Sequence, residues 1–436
     1  MKAIVIIANG WNAGWLGCYG NEWLTSPHVD RLAADSIVFD QHFAVSPAPV
    51  EWRRSLASGR FDFGTCSAHG PSLIHSLRQS GVRTVRIHDV RNEPEIAGND
   101  WDINVAALRK DDAPPGEALS RAIAKQLKIL TEQDQWLLWI ETDRLVPPWS
   151  VSLDRFDPYA EEITAAEDGE APQPWDEPPL GPSVLNDREI EWLQATFASV
   201  VTEWDADLGR WIELFRKHDL AESALWMVTS GYGLSLGEHD WLGPTGNGLY
   251  EELAHLPLLV RLPGAEQAGR RVPELTASVD LLPTLGEAFG VAFRPGIHGK
   301  SLLALARGSR KPVHSYLCQH LADGQAALRT PDWAFLHVGN KDKLLFRKPE
   351  DRWEVNDASM QHLEWADHVE ATLHEFIEKA QDEPFIPPVL KDYDQVIQEA
   401  HPKTENQHEH GTTGERNDGP SQGESGVRGH QGDEEN

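Results

Sequence analysis

Three cysteines in 436 residues, Cys18, Cys66 and Cys318, are too few and too widely spaced for a disulfide framework or a thiolate metal site. Long apolar runs are missing as well, since nothing approaches the roughly 18 consecutive apolar residues of a membrane-spanning helix. The opening "MKAIVIIANG" has one lysine and an apolar run of six residues, too short for a secretory leader, so a cytoplasmic location is expected. Basic side chains are scarce, 39 against 69 acidic ones, giving a net charge of −30. That balance repels phosphate backbones and anionic headgroups, so neither nucleic acid nor membrane is an expected partner.

The remaining composition, 40% hydrophobic and 25% charged, fits a soluble globular protein with ample length for a core. The negative charge is concentrated. Residues 154–178 hold nine acidic side chains against Arg155, and residues 401–436 hold eight against three basic ones, together 13 of the 30 excess charges. The first stretch reads as an acidic insertion over about 154–182. The second, from about 400, is Gly, His, Glu, Asn and Gln with almost no apolar residue, and is expected to be disordered over 400–436. His401, His408, His410 and His430 fall there, without the spacing of a functional metal site.

"AIVIIA" (3–8), "IVFDQHFAV", "VRTVRIH", "QWLLWIET" (135–142), "ALWMVTS" (224–230) and "LPLLVRL" read as strands. Between them, "SPHVDRLAADS", with Ser26 as cap and Pro27 at the first helical position, "PSLIHSLRQSG", the long segment 187–220 and "ASVDLLPTLGEAFG" read as helices. The alternation predicts an α/β fold, a mostly parallel central sheet with helices on both faces, over residues 1–300. Ligands in such sheets sit at the carboxyl ends of strands, which directs attention to the loops after residues 8, 45, 142 and 230. Residues 330–356 read as antiparallel strands and "HLEWADHVEATLHEFIEKA" as a helix, giving a smaller α+β subdomain of the same fold over 301–385.

These landmarks, in order, resemble the sulfatase family of the alkaline-phosphatase-like superfamily. "LGCYGNEWLTSPHVDRLAADSIVFDQHFA" is similar to that family's opening segment, and "VSPAPVEWRRSLASGR" to its nucleophile loop. "WLLWIETDRLVPPW" is similar to the strand ending in Pro-His-x-Pro-Trp, and "VTSGYGLSLGEHDWLGP" to T-S-D-H-G-x-x-L-G-E-H-G-x-W-G-K. The resemblance runs over about residues 1–380. It implies sulfate-ester hydrolysis by a formylglycine made from Cys or Ser, with a divalent cation, usually calcium, held by carboxylates, and with Lys and His groups holding charge and moving protons.

At those positions this chain differs. Pro49 stands where the nucleophile belongs, Asn9 and Gly10 where the paired aspartates do, and Gly231 and Tyr232 at the late Asp-His/Asn pair. Val146 replaces the Pro-His-x-Pro histidine and Pro244 the Gly-Lys lysine, while Asp89 or Arg91 meets the Lys or His after the "RTV" strand. Arg53, Glu238 and His239 are retained. The resemblance therefore implies a sulfatase fold without the sulfatase centre, no cofactor, and a lost calcium site.

The surviving groups allow more than one role. Arg53 suits an anionic ligand or a structural ion pair to Glu51, Glu238 or another acid; His239 suits a residual acid/base role or a packed, hydrogen-bonded one. Glu51 and Asp143 are candidate replacement nucleophiles or bases, with no partner arranged in the sequence. Of 17 tryptophans, Trp11, Trp15, Trp52, Trp149 and Trp241 fall on loops around the implied pocket, where indoles either fill lost volume or stack on sugar or aryl groups. Three functions stay open: an inactive family member that binds a small anionic or sugar-like ligand or associates with an active relative, a divergent sulfuric or phosphoric ester hydrolase with a relocated site, and a sugar- or aryl-binding module.

Overall fold

The computed structural model describes residues 1–401 apart from 62, 64–71, 92–99, 108–115, 162, 164–171, 247, 322, 340–341, 381 and 383. Cys66, most of the acidic insertion's centre and the 402–436 tail, with His408, His410 and His430, lie outside the described residues.

Among the described residues, nine strands form the central sheet: β1 (Lys2–Ala8), β2 (Ile37–Phe43), β3 (Arg83–His88), β4 (Ile103–Ala106), β5 (Trp136–Thr142), β6 (Ala224–Thr229), β7 (His255–Leu256), β8 (Leu258–Arg261) and β9 (Arg271–Ala277). Their order is β7-β2-β8-β6-β1-β5-β3-β4, with β9 beside β2. The β-branched run of β1 takes the centre because both its faces are covered. It pairs in parallel with β5, from Lys2↔Trp136 to Ala8↔Thr142, and with β6. Among the described residues, β8 and β7 run antiparallel to their neighbours in this sheet.

The helices are α1 (Pro27–Ala34), α2 (Pro49–Ser58), α3 (Leu73–Gln79), α4 (Glu117–Leu130), α5 (Leu153–Ala160), α6 (Asp187–Lys217), α7 (Leu281–Phe289), α8 (Leu363–Lys379) and α9 (Tyr393–Ala400), beside shorter turns. Side-chain alternation divides the core in two. Ile4, Ile6, Leu138 and Ile140 face α1, α4 and α6; Ala3, Val5, Ile7, Leu137 and Trp139 face α2, α3 and α7. Asn186 and Glu189 close a capping box on α6. Ser26 makes no side-chain cap on α1, contrary to expectation: the Asp205 carboxylate, reaching from α6, accepts from the N–H groups of His28 and Val29.

A second, antiparallel sheet follows, β10 (Leu317–His320), β11 (Ala326–Arg329), β12 (Trp333–Val338) and β13 (Asp342–Arg347), with α8 packed on it through Trp365, Val369, Leu373 and Phe376. Strands β4, β10 and β11, four residues each, are too short to show a period, whereas helix α4 does carry a legible apolar spacing in Leu119, Ile123, Leu127 and Leu130.

Candidate functional site

The carboxyl ends of β1, β5 and β6 meet the start of α2. The expected nucleophile loop is a helix here, with Pro49 at its first position, where a missing N–H costs nothing and φ is already suitable. Gly59 ends it in the left-handed region at φ +69°.

Asn9 follows β1 and lies at the centre. Its Nδ2 donates to Asp143 Oδ1 at 2.8 Å and Glu141 Oε1 at 3.3 Å, whereas Oδ1 is buried without a partner. A Cβ on Gly231 would stand 2.6 Å from that oxygen and 2.6 Å from the Trp52 ring, so the indole occupies the space a side chain at 231 would need. Gly10 is similar: at φ +87°, a Cβ would lie 3.1 Å from Val146 Cγ2. Tyr232 is buried, its carbonyl accepts from Gly10 N, and burial pushes its hydroxyl well above the usual range.

Arg53 is buried and its anion is neither Glu51 nor Glu238 but Glu141. Its Nη2 donates to Glu141 Oε1 at 2.5 Å and its Nη1 to the Pro49 carbonyl at 2.9 Å, with the guanidinium 5.0 Å over Trp52. Arg86 Nη2 donates to the other Glu141 oxygen at 2.7 Å. Burial alone would raise the Glu141 carboxyl, yet the two guanidinium groups hold it down at about 2. Asp89 is pushed up to about 6 by burial, and Asp143 is raised for the same reason. Their oxygens serve the loop: Asp89 accepts from Asp143 N, and Asp143 from Arg91 N and Asn9. Asp143 thus acquires structural partners, not a catalytic one.

Beside this triad is a cavity of about 60 Å³, lined in part by Trp52, Trp101, Trp139, Arg53, Arg86 and Glu141. The other candidate residues lie elsewhere. Trp11, Trp15 and Trp149 are packed in the α6-side core, Trp11 on Trp204 at 6.2 Å and Trp15 on Phe197 at 4.9 Å. Trp241 and Pro244 are half-buried at the end of a short ladder. His239 belongs to a separate network: Nδ1 faces Glu252 Oε1 at 3.0 Å, Nε2 faces the Glu354 carbonyl at 3.1 Å, and the ring stacks on Tyr250 at 3.6 Å. Glu238 is turned inward on Leu236 N, its carboxyl raised by burial.

Sequence reading missed Glu141, Arg86, Trp101 and Trp139. The signal was present: Arg86 and Glu141 are charged residues inside otherwise apolar strand runs, a pattern that asks for a buried partner. A hard divalent cation does not fit the donors. Asn9 Oδ1 is one neutral oxygen, Glu141 is engaged by two arginines, and among the described residues no group of three or more His, Cys, Asp or Glu is placed to hold an ion. Among the same residues no helix is long and apolar enough to cross a membrane.

The sulfatase family model matches residues 119–291, and that for the C-terminal part of N-sulphoglucosamine sulphohydrolase matches 237–383. The chain belongs to the sulfatase family. It is 25% identical over 281 residues to an N-acetylglucosamine-6-O-sulfatase of Bacteroides thetaiotaomicron, covering 61% of this chain and 46% of that protein. Against arylsulfatase K of Mus musculus it is 34% identical over 121 residues, 28% of this chain and 21% of the relative. The matched stretches thus span less than half the length of these relatives. The fold is that of solved family structures. A phosphonate monoester hydrolase of Agrobacterium radiobacter superposes with a TM-score of 0.66 at 18% identity, covering 87% of this chain and 94% of the other. A structure in complex with its substrate D-glucosamine-2-N,6-O-disulfate gives 0.68 at 16% identity, covering 88% and 98%.

Proposed function

We propose that this sulfatase-family chain is catalytically silent toward sulfate and phosphonate esters and that it works by binding, either of a small ligand or of an active relative. The observation that carries the reading is a centre filled by the chain itself. Arg53, which would meet an ester anion, is engaged by Glu141, and Trp52 occupies the space beside Gly231 where a metal-binding side chain would stand. Pro49 offers no group that can be converted to an aldehyde or activated by a base. With the carboxylates at 10 and 231 absent, no resident cation is proposed, since one amide oxygen cannot offset lost hydration.

The test is the metal content of dialysed protein ending at residue 400, together with turnover of an aryl sulfate and an aryl phosphonate monoester. The expected result is less than about a tenth of an equivalent of calcium, magnesium or manganese and no turnover, unchanged in a Pro49→Cys variant with maturation confirmed. Near one equivalent of metal, or turnover by either form, overturns the reading and favours a hydrolase with a rebuilt site.

A further inference from the structure

We propose that the groove between α5, α6 and the turn carrying Trp23 binds a neutral sugar, with its ring against the aromatic wall and its hydroxyl groups on Asp154, Arg155 and Thr25. The inference deepens the binding role proposed above and rests on it, and it places the ligand away from the strand ends.

Three observations combine. First, the groove measures about 300 Å³ and is lined in part by Trp23, Thr25, Asp154, Arg155, Tyr159 and Thr202. That volume lies at the small end of the range for small-molecule sites, roughly 300–1,000 Å³, and suits one or two sugar rings. Trp11, Trp15 and Trp149 are packed inside, whereas the half-buried Trp23 faces this groove beside Tyr159, their rings edge to face at 5.3 Å. Indole and phenol offer broad apolar faces with few rotatable bonds to order.

Second, the aromatic wall is preformed. Asn21 Oδ1 accepts from Trp23 N at 3.0 Å and Leu24 N at 2.9 Å, and Asn21 Nδ2 donates to the Gly14 carbonyl at 2.9 Å. The Tyr159 hydroxyl lies 2.6 Å from Thr202 Oγ1 and accepts from Thr25 N at 3.3 Å. A ligand therefore has little of the protein to order. Third, the rim suits hydroxyl groups better than ions. Asp154 and Arg155 are exposed, and among the described residues neither forms an ion pair. Their charges cancel, and together they supply the acceptor and the donors that a hydroxyl group pairs with. An anionic sugar would gain Arg155 but meet Asp154 and the stretch 154–178, where nine acidic side chains stand against that one arginine. A cation finds a single carboxylate beside a guanidinium among the described lining residues.

The experiment titrates glucose, galactose and N-acetylglucosamine into uniformly labelled full-length protein and follows the indole N–H resonances. The Trp23 and Trp353 signals are assigned by their loss in Trp23→Phe and Trp353→Phe; Trp353, 53% exposed, reports non-specific effects. A ligand of about twelve heavy atoms at modest efficiency binds in the millimolar range, so the titration runs to about 50 mM. The expected result is a saturable shift of the Trp23 signal with at least one of the three sugars and none at Trp353. Glucose 6-sulfate should bind at least about threefold more weakly than glucose. Trp23→Ala should abolish binding; should that variant not fold, Asp154→Ala, which changes an exposed side chain, should weaken it at least about fivefold. No saturable shift with any of the three sugars, an equal shift at Trp353, equal or tighter binding of glucose 6-sulfate, or full binding by folded Trp23→Ala or Asp154→Ala overturns the proposal. Metal content and turnover are read separately, so failure here leaves the silent strand-end centre standing.

Discussion

At the residue scale, the two glycines that align with the family's ligand positions are held by contact. Gly231 faces Trp52 and Asn9, and Gly10 faces Val146. Restoring a carboxylate therefore collides with its replacement. Gly231→Asp is expected to destabilise the protein by about 3 kcal/mol, the upper range for overpacking a filled core. Trp52→Ala alone should cost about 3–5 kcal/mol, and the double variant should be about 1–2 kcal/mol more stable than the sum of the two single losses, because the two positions share one space. Urea unfolding of the two single variants and the double variant measures the coupling; a neutral Gly231→Asp would mean that the indole is not packed there. That Pro49 stands at the position aligned with the family's nucleophile is legible in the sequence, since residue identity is local. The identity of Arg53's partner was not, because Glu141 is 88 positions away and meets it only through the sheet.

At the scale of elements, α1 is held at its start from outside its own sequence. Asp205 of α6 accepts from His28 N at 3.1 Å and Val29 N at 2.7 Å, while Ser26 contributes no side-chain cap. Two N–H groups at a helix start favour a charged acceptor, so Asp205→Ala should cost about 2 kcal/mol, read by chemical denaturation, with Ser26→Ala much milder. Equal effects of the two substitutions would return the cap to Ser26. The helix itself was legible from Ser26-Pro27 and its apolar spacing. The cap was not, because side chains and N–H groups 177 positions apart have no pattern in common. For the same reason the stretch from Ser46 to Arg60 reads as a loop but contains α2, Pro49–Ser58: of the adjacent Arg53 and Arg54 the first is buried on Glu141 and the second is half-buried, which only tertiary packing distinguishes.

At the scale of the molecule, the antiparallel sheet is joined to the central sheet by buried charge. Arg329 donates to Glu354 at 2.5 Å, to Glu251 at 3.2 Å and to Gln319 at 2.8 Å, and Lys348 reaches both glutamates. His239 closes the junction between Glu252 and the Glu354 carbonyl. Burial pulls its pKa down, but the Glu252 carboxylate outweighs burial and raises it above 6.5. A raised histidine adds stability that is fully present below its unfolded value and is lost as pH rises through the folded one. Thermal stability should therefore fall as pH rises from the ordinary histidine value through the raised folded one, and His239→Gln should remove that slope. A slope unchanged in the variant would assign the dependence to another group.

The order of most strands and helices, and the proline at position 49, followed from the sequence alone, because periodicity and residue identity are local. Which side chains meet at the strand ends was decided by the tertiary structure. Trp11, Trp15 and Trp149 sit on neighbouring loops yet turn into the α6-side core, while Trp52, Arg53 and Glu141 converge from a helix and a strand distant in the chain. Which indole enters a space, and which carboxylate meets an arginine, depends on sheet order and on the face each side chain presents, and both exist only once the chain has packed.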